Sequence, residues 1–209
     1  MYLADSNINA RIEHFRKHKK LFGYLINNRL PLSGIDIKKH PNIAKAVRRY
    51  NPNSVNGYEV FGIWIEPLRR GVTKIQGCSV DLTLGDQFMP LTGNYRNTLE
   101  LTNTYYVAPK QTFLAITEQT VFIPPDLLGR LEGKSTLARK GLSVHITSSK
   151  IDPGFHGRIV LECHNYSDDP ISLTKGMPIC ALCFSQLAIP SSTPRYMFKN
   201  QQTHITLEP

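Results

Sequence analysis

The spacing of apolar residues along the chain changes near residue 75. Before that point apolar residues recur at helical spacing with basic residues between them, which predicts a helix over residues 5–28. A second short helix is predicted over residues 41–50, which has a proline near its start. Residues 1–74 are therefore predicted to form a helical N-terminal segment, with a loop-rich insertion at about 22–60. The apolar positions of the first helix are Ile8, Ile12 and Phe15.

From residue 75 onward the sequence predicts short strands in place of helices. Runs of apolar and β-branched residues are separated by turns rich in Gly, Pro, Asn and Asp. Many short strands bounded by turns are typical of an all-β sandwich or barrel. We therefore expect a β-barrel domain over residues 75–190 and a polar C-terminal arm over residues 191–209. The predicted strands are 79–84, 112–117, 120–123, 142–146, 158–165, 171–173 and 179–186.

Positive charge is concentrated in the N-terminal segment. Residues 1–74 carry 14 of the 25 Lys and Arg and 5 of the 16 Asp and Glu, and so account for the whole net charge of +9. A basic segment can bind nucleic acid, but a solvated helical face is the favoured interpretation. Near a binding site, such a face would also attract an anionic nucleotide.

Composition argues against a membrane protein and against a disulfide scaffold. No apolar run approaches the roughly 18 residues of a transmembrane helix, and the N-terminus has no signal-peptide stretch. We therefore expect a soluble cytoplasmic protein. Four cysteines in 209 residues are too few for a disulfide scaffold. The sequence PICALC (178–183) has one residue too many for the PCxxC half of a zinc deaminase, and no HxE precedes it, which favours structural thiols over metal ligands.

One predicted strand contains an ionisable side chain among apolar neighbours. Glu162 lies in the run IVLEC (159–163). Burial of an unpaired charge is costly, and a carboxylate in such surroundings more often serves chemistry than packing. Asp152 begins the turn that enters this strand and is a turn residue on composition alone. Together with Glu162, it becomes a candidate for holding a sugar hydroxyl.

A cluster of cations and hydroxyls precedes Glu162 in the chain. Lys134, Ser135, Thr136 and Arg139 supply two cations and two hydroxyls within six positions, as an anion clamp would. The stretch GRLEGKS (129–135) has three residues between its glycines where a Walker-type phosphate loop needs four, and it lacks that motif's strand–loop–helix context. Amides at a turn or short-helix start would still suit phosphate oxygens, although a capped surface turn is the alternative. The clamp and Glu162 together suggest an enzyme that acts on a phosphorylated small molecule.

Several motifs, in order, resemble the dCTP deaminase branch of the dUTPase-like superfamily. The resemblance implies a mainly β fold, a distorted jelly-roll β-barrel, that assembles as a homotrimer with active sites at subunit boundaries. It also implies zinc-independent hydrolytic deamination of dCTP to dUTP and ammonia, with Mg²⁺ held mainly by the nucleotide triphosphate and not by a protein ligand set. The matching stretches are GCSVDLTLG (77–85), GKSTLARKGLSVH (133–145), IDPGFHGRIVLECHN (151–165), KGMPICALCF (175–184) and NQQ (200–202).

The resemblance assigns roles to individual residues. Glu162 matches the general base, and Ser135 and Arg139 match the polar pair that accompanies it. The deoxyribose contact matches Asp152, and a tail glutamine that closes over the phosphates matches Gln201. The substrate-binding positions implied in this way are Lys134, Ser135, Thr136, Ala138, Arg139, Asp152, Val160, Leu161, Glu162, Arg195, Tyr196 and Gln201.

Three alternatives stay open. A dUTP diphosphatase would share the fold and the aspartate at Asp152, but it would not need Glu162. A bifunctional enzyme that forms dUMP from dCTP is less favoured, because Asp152 is followed by Pro153 and Gly154, as in the single-function deaminases. A non-catalytic regulator that binds nucleic acid through residues 1–74 would show an affinity that falls steeply with salt.

Overall fold

The computed structural model describes residues 2–17, 62–91, 97–189, 191 and 205. The predicted second helix, the insertion at 22–60 and the candidate residues Arg195, Tyr196 and Gln201 lie outside the described residues. Within the described part of the chain, no helix has the length and apolar character needed to cross a membrane.

The N-terminal helix forms where the apolar spacing predicts it. Helix α1 covers Asp5–Lys17, and Ile8, Ile12 and Phe15 are all buried, as expected. Two backbone hydrogen bonds on its N-terminal side hold the chain to the β-domain: Leu3 N–H to Phe184 O (2.8 Å) and Asp5 N–H to Gly77 O (2.7 Å). The remainder of the predicted range, beyond residue 17, lies outside the described residues.

The rest of the described chain is mainly β, as predicted. All strand pairs are antiparallel. The strands are β1 (Trp64–Glu66), β2 (Ile75–Gln76), β3 (Ser79–Pro90), β4 (Leu99–Glu100), β5 (Thr104–Val107), β6 (Thr112–Phe122), β7 (Leu127–Gly133), β8 (Leu142–Val144), β9 (Lys150–Ile151), β10 (His156–Asn165), β11 (Ile171–Thr174) and β12 (Pro178–Gln186); the one-turn helix α2 (Ser135–Ala138) follows β7.

Two sheets are present in the described part. Neighbouring strands of the larger sheet follow the order β8–β10–β6–β3–β12–β7–β9, with β1 added to β6 and with β2 and β4 added to β3. Strands β5 and β11 form a separate pair. The main apolar core lies on one face of the large sheet and includes Leu82, Phe113, Leu161 and Leu182. The other face of β3, β6 and β10 is therefore available for a site.

A polar stretch does not interrupt β6, where the sequence analysis placed a break. Residues 112–117 and 120–123 were predicted as two strands, but they form one, Thr112–Phe122. The buried polar groups in the middle are satisfied, because Gln119 Oε1 accepts the Thr83 N–H (2.9 Å) and Thr117 Oγ1 donates to Gln119 O (3.0 Å). Hydrogen-bonded polar residues can occupy a buried strand at little cost.

Strand β7 was not predicted, because its sequence LLGRLEG contains two glycines and two charges. It pairs with β12 along its whole length, from Leu127 opposite Gln186 to Gly133 opposite Cys180. It leads into the one-turn helix α2 with Lys134 alone between them. Residues 129–133 thus belong to a strand and not to a phosphate loop, in keeping with the expectation from the sequence. The other unpredicted strands, β1, β2, β4, β5 and β9, have four residues or fewer.

Candidate active site

Glu162 lies on the face of β10 that is turned away from the main core. Burial alternates along this strand, and Glu162 is half-buried between fully buried neighbours. In the adjacent strand β6, Leu114 lies directly opposite Glu162. The carboxylate therefore has an apolar side chain beside it toward the middle of the sheet.

The carboxylate also has a polar neighbour on the β8 side. Thr147 Oγ1 donates a hydrogen bond to Glu162 Oε2 over 2.8 Å. The Ile146 N–H donates to the Glu162 carbonyl oxygen over 3.1 Å, which keeps the segment after β8 alongside β10. One carboxylate oxygen is thus held by a hydroxyl, and Oε1 has no partner among the hydrogen bonds of the described residues.

His145 lies beside the same carboxylate. Its backbone has a φ of 67°, in the left-handed region that few non-glycine residues adopt. Burial lowers the pKa of His145, while the charge of Glu162 acts in the opposite direction. Its Nδ1 is buried without a hydrogen-bond partner among the described residues. Burial therefore disfavours the protonated imidazole next to Glu162.

The residues of the predicted anion clamp lie in α2 and at its two ends. Lys134 precedes the helix, and its Nζ donates to Asp81 Oδ1 over 2.7 Å. Asp81 is a buried residue of β3, so this ion pair fixes where the Lys134 ammonium group lies. Leu137 is buried and attaches α2 to the core. The remaining predicted clamp residues, Ser135, Thr136 and Arg139, are exposed, and so is the predicted substrate-binding residue Ala138.

Strand β8 lies between the clamp and Glu162 within one protomer. A Cβ placed on Gly133, just before the clamp, would lie 4.0 Å from Val144 Cβ. Val144 is in turn the register partner of Cys163, the residue after Glu162. The fold thus brings the start of the clamp and the carboxylate to opposite sides of a three-residue strand.

Asp152 occupies the tight turn after β9. Its carbonyl oxygen accepts the Phe155 N–H over 3.1 Å, in agreement with a turn role. Its half-buried carboxylate pairs with the exposed Lys150 ammonium group over 2.7 Å. Among the described residues, Lys150 is the partner of this carboxylate, and a substrate hydroxyl could join or displace it.

Val160 and Leu161, which the resemblance places among the substrate-binding positions at the base, face opposite ways. Val160 lies on the same face of β10 as Glu162, whereas the Leu161 side chain is fully buried in the main core. Adjacent residues of a strand alternate between its faces, so only one of them can share a face with Glu162. Leu161 can line a pocket at Glu162 only through its backbone.

Comparison with known proteins identifies the family of this chain. A sequence model of the dCTP deaminase-like family matches residues 59–187, more than half of the chain. The chain belongs to the dCTP deaminase-like family. The resemblance inferred from the motifs is confirmed.

Individual relatives of this dCTP deaminase-like chain support the same assignment. A dCTP deaminase from Aeromonas salmonicida (strain A449) is 37% identical over 155 residues, which cover 63% of this chain and 80% of that protein. The crystal structure of the 2'-deoxycytidine 5'-triphosphate deaminase from Agrobacterium tumefaciens matches with a TM-score of 0.51 at 17% identity. That match covers 58% of this chain and only 42% of the other chain, so it concerns the fold.

The donor groups of this dCTP deaminase-like chain suit phosphate better than a bare metal ion. Lys134 offers an ammonium group, which attracts phosphate and repels a cation, and the hydroxyl groups of Ser135 and Thr136 can donate to phosphate oxygens. Mg²⁺ is usually held through carboxylates and substrate phosphates. Among the described residues, no group of three or more His, Cys, Asp or Glu side chains is arranged to hold a metal ion.

Thr147 and His145 are the site residues that sequence reasoning missed. His145 ends one of the matching motifs, and Thr147 follows two positions later. Nothing in their local sequence links either residue to Glu162, which is far along the chain. The sequence could have indicated them only through a prediction that strand 142–146 pairs with the strand that contains Glu162, which would bring the residues after it alongside the carboxylate.

Proposed function

We propose that this dCTP deaminase-like protein hydrolyses dCTP to dUTP and ammonia. It acts as a cytoplasmic homotrimer with active sites at subunit boundaries, and it supplies dUTP for pyrimidine deoxynucleotide metabolism. The observation that carries the proposal is the Glu162 carboxylate, which has Thr147 on one side and apolar Leu114 on the other. The 37% identity to a dCTP deaminase supports the same substrate.

Glu162 performs the proton transfers. It takes a proton from the attacking water as the oxygen bonds to C4 of cytosine, and it passes that proton to N3. It then takes the second water proton from the tetrahedral centre and delivers it to the amino group, which leaves as ammonia. Thr147 holds Oε2, so Oε1 faces the water. Ser135 and Arg139 orient the water and the developing charge.

The clamp and the arm bind the rest of the nucleotide. Lys134, already oriented by Asp81, binds the triphosphate with Ser135 and Thr136. Mg²⁺ bound to the triphosphate neutralises part of its charge. The positions that complete the substrate site are Ala138 beside the clamp, Asp152 at the deoxyribose, Val160 and the Leu161 backbone at the base, and Arg195, Tyr196 and Gln201 in the arm.

A product assay tests the reaction. Purified protein is incubated with Mg²⁺ and either dCTP or dUTP, and the nucleotides are separated by anion-exchange chromatography. dUTP and ammonia from dCTP are expected. Formation of dUMP and pyrophosphate from dUTP would replace the proposal with a diphosphatase, and dUMP from dCTP would indicate the bifunctional enzyme. No turnover, together with nucleic-acid affinity that falls steeply with salt, would favour a non-catalytic regulator.

A substitution at Glu162 tests its role. Glu162→Gln keeps the shape of the side chain but removes its capacity to accept a proton, so we expect ammonia release to fall by about 10²–10⁴-fold. Binding of dCTP, measured by calorimetry, should persist. Glu100→Gln, at an exposed position of β4, is the matched control and should retain wild-type turnover. Equal loss of binding and turnover in Glu162→Gln would indicate that Glu162 is structural.

A further inference from the structure

A second apolar cluster lies on the face of the sheet that carries Glu162. It consists of the buried residues Met89, Leu114, Ile116 and Ile205. Val160 and Leu91 pack against it. It is separate from the main core, and its most distant member in sequence is Ile205, which is only 4% exposed.

Strand register places this cluster directly beside the carboxylate. Leu114 of β6 is opposite Glu162 on one side and opposite Met89 of β3 on the other. Ile116 is opposite Val160 in the same way. Directly opposed residues of antiparallel strands point to the same face, so Met89, Leu114 and Glu162 form one row across the sheet.

The backbone of residue 205 is held at the same place. The Ile205 N–H donates a hydrogen bond to Gln87 Oε1 over 2.8 Å. Gln87 precedes Met89 by two positions in β3, so both side chains leave the strand on the same face. A specific hydrogen bond and a buried side chain thus fix one residue of the C-terminal segment over the cluster.

We propose, on the basis of the proposed function, that Ile205 is a positioning residue of the active site. Its side chain forms an apolar wall over Leu114 and Val160, with Gln87 as its anchor. The wall excludes water from that side of Glu162, so that the attacking water and the cytosine ring meet the carboxylate at Oε1, the oxygen that Thr147 leaves free. Removing water from one side of a charged group strengthens the interactions it makes on the other.

Kinetic measurements on Ile205 variants test this role. For Ile205→Ala, which removes three carbon atoms from the wall, we expect kcat/KM for dCTP to fall about tenfold. The loss should appear mainly in kcat, because the triphosphate contacts lie at the clamp. Ile205→Val, which keeps most of the wall, should restore turnover to near the wild-type value. Ile189→Ala is the matched control, because Ile189 is 79% exposed.

A second variant and a hydrogen-exchange measurement complete the test. Gln87→Ala removes the acceptor of the Ile205 N–H and should lower kcat in the same direction. Hydrogen exchange should be faster at residues 114–116 and 160–162 in Ile205→Ala than in the wild type. Kinetic constants of Ile205→Ala equal to those of Ile189→Ala would overturn the inference while leaving the proposed function in place. A wild-type chain that does not convert dCTP would reject the proposed function, and the inference with it.

Discussion

Thr147 orients Glu162 directly and is therefore the sharpest place to test the site. Its hydroxyl donates to one carboxylate oxygen over 2.8 Å. Thr147→Val retains a β-branched side chain and removes only the hydroxyl, so the backbone preference at this position is kept. The expected consequence is a carboxylate that is still present but no longer held in one orientation.

The size of the effect follows from the surroundings of the pair. A hydrogen bond to a charged group contributes about 1.5–3 kcal/mol when water cannot replace it. Thr147 is exposed and Glu162 is half-buried, so water compensates for part of the loss. We therefore expect about 1–2 kcal/mol, which corresponds to a decrease in kcat of roughly 5–30-fold.

The assay is ammonia release from dCTP at saturating substrate. Thr147→Ser keeps the donor and should stay close to the wild type. In a Glu162→Gln background, Thr147→Val should have little further effect, because the two residues act through one interaction. A wild-type kcat in Thr147→Val, or an equal loss in Thr147→Ser, would refute the idea that this hydroxyl orients the general base.

Two further predictions concern stability. Arg11→Met should lower the free energy of unfolding by about 3 kcal/mol, because it leaves the buried Asp126 carboxylate without the guanidinium group that now lies 2.7 Å away. Arg16→Met breaks an exposed ion pair and should lower the free energy of unfolding by less than about 0.5 kcal/mol. Equal losses for the two variants in urea unfolding would contradict this expectation. Burial lowers the pKa of His145 and of His156 below the usual 6.5, so the unfolded chain takes up protons first as the pH falls. The free energy of unfolding should therefore keep its full value above about pH 6.5 and decrease as the pH falls below it. His145→Gln should reduce the decrease measured by urea unfolding at acidic pH.

The sequence determined those features that depend on near neighbours in the chain. The apolar spacing of α1 predicted its buried face, and the run around Glu162 predicted a carboxylate in a strand. In both cases the period of the element decides which residues are buried, and the period can be read from a few consecutive residues. The ordered motifs identified the family, because each comprises several residues at defined spacing.

Strands whose stability comes from their partners were harder to predict. The glycines and charges of β7 do not favour a strand locally, and the pairing with β12 is what makes it one. Similarly, β6 continues through its polar middle because Thr83, from another strand, donates to Gln119. Such hydrogen bonds form between residues that are distant in sequence, so no local pattern records them.

The surroundings of Glu162 were decided by the tertiary structure alone. Thr147 reaches the carboxylate because β8 pairs with β10, and Ile205, which is distant in sequence, joins the apolar cluster around Leu114 and is held there by Gln87. The alternation of β10 likewise separates Leu161 from Glu162, although the two are adjacent in sequence. The local sequence places the Glu162 carboxylate in a strand, whereas strand register determines its neighbours, because register sets which side chains from distant segments share a face.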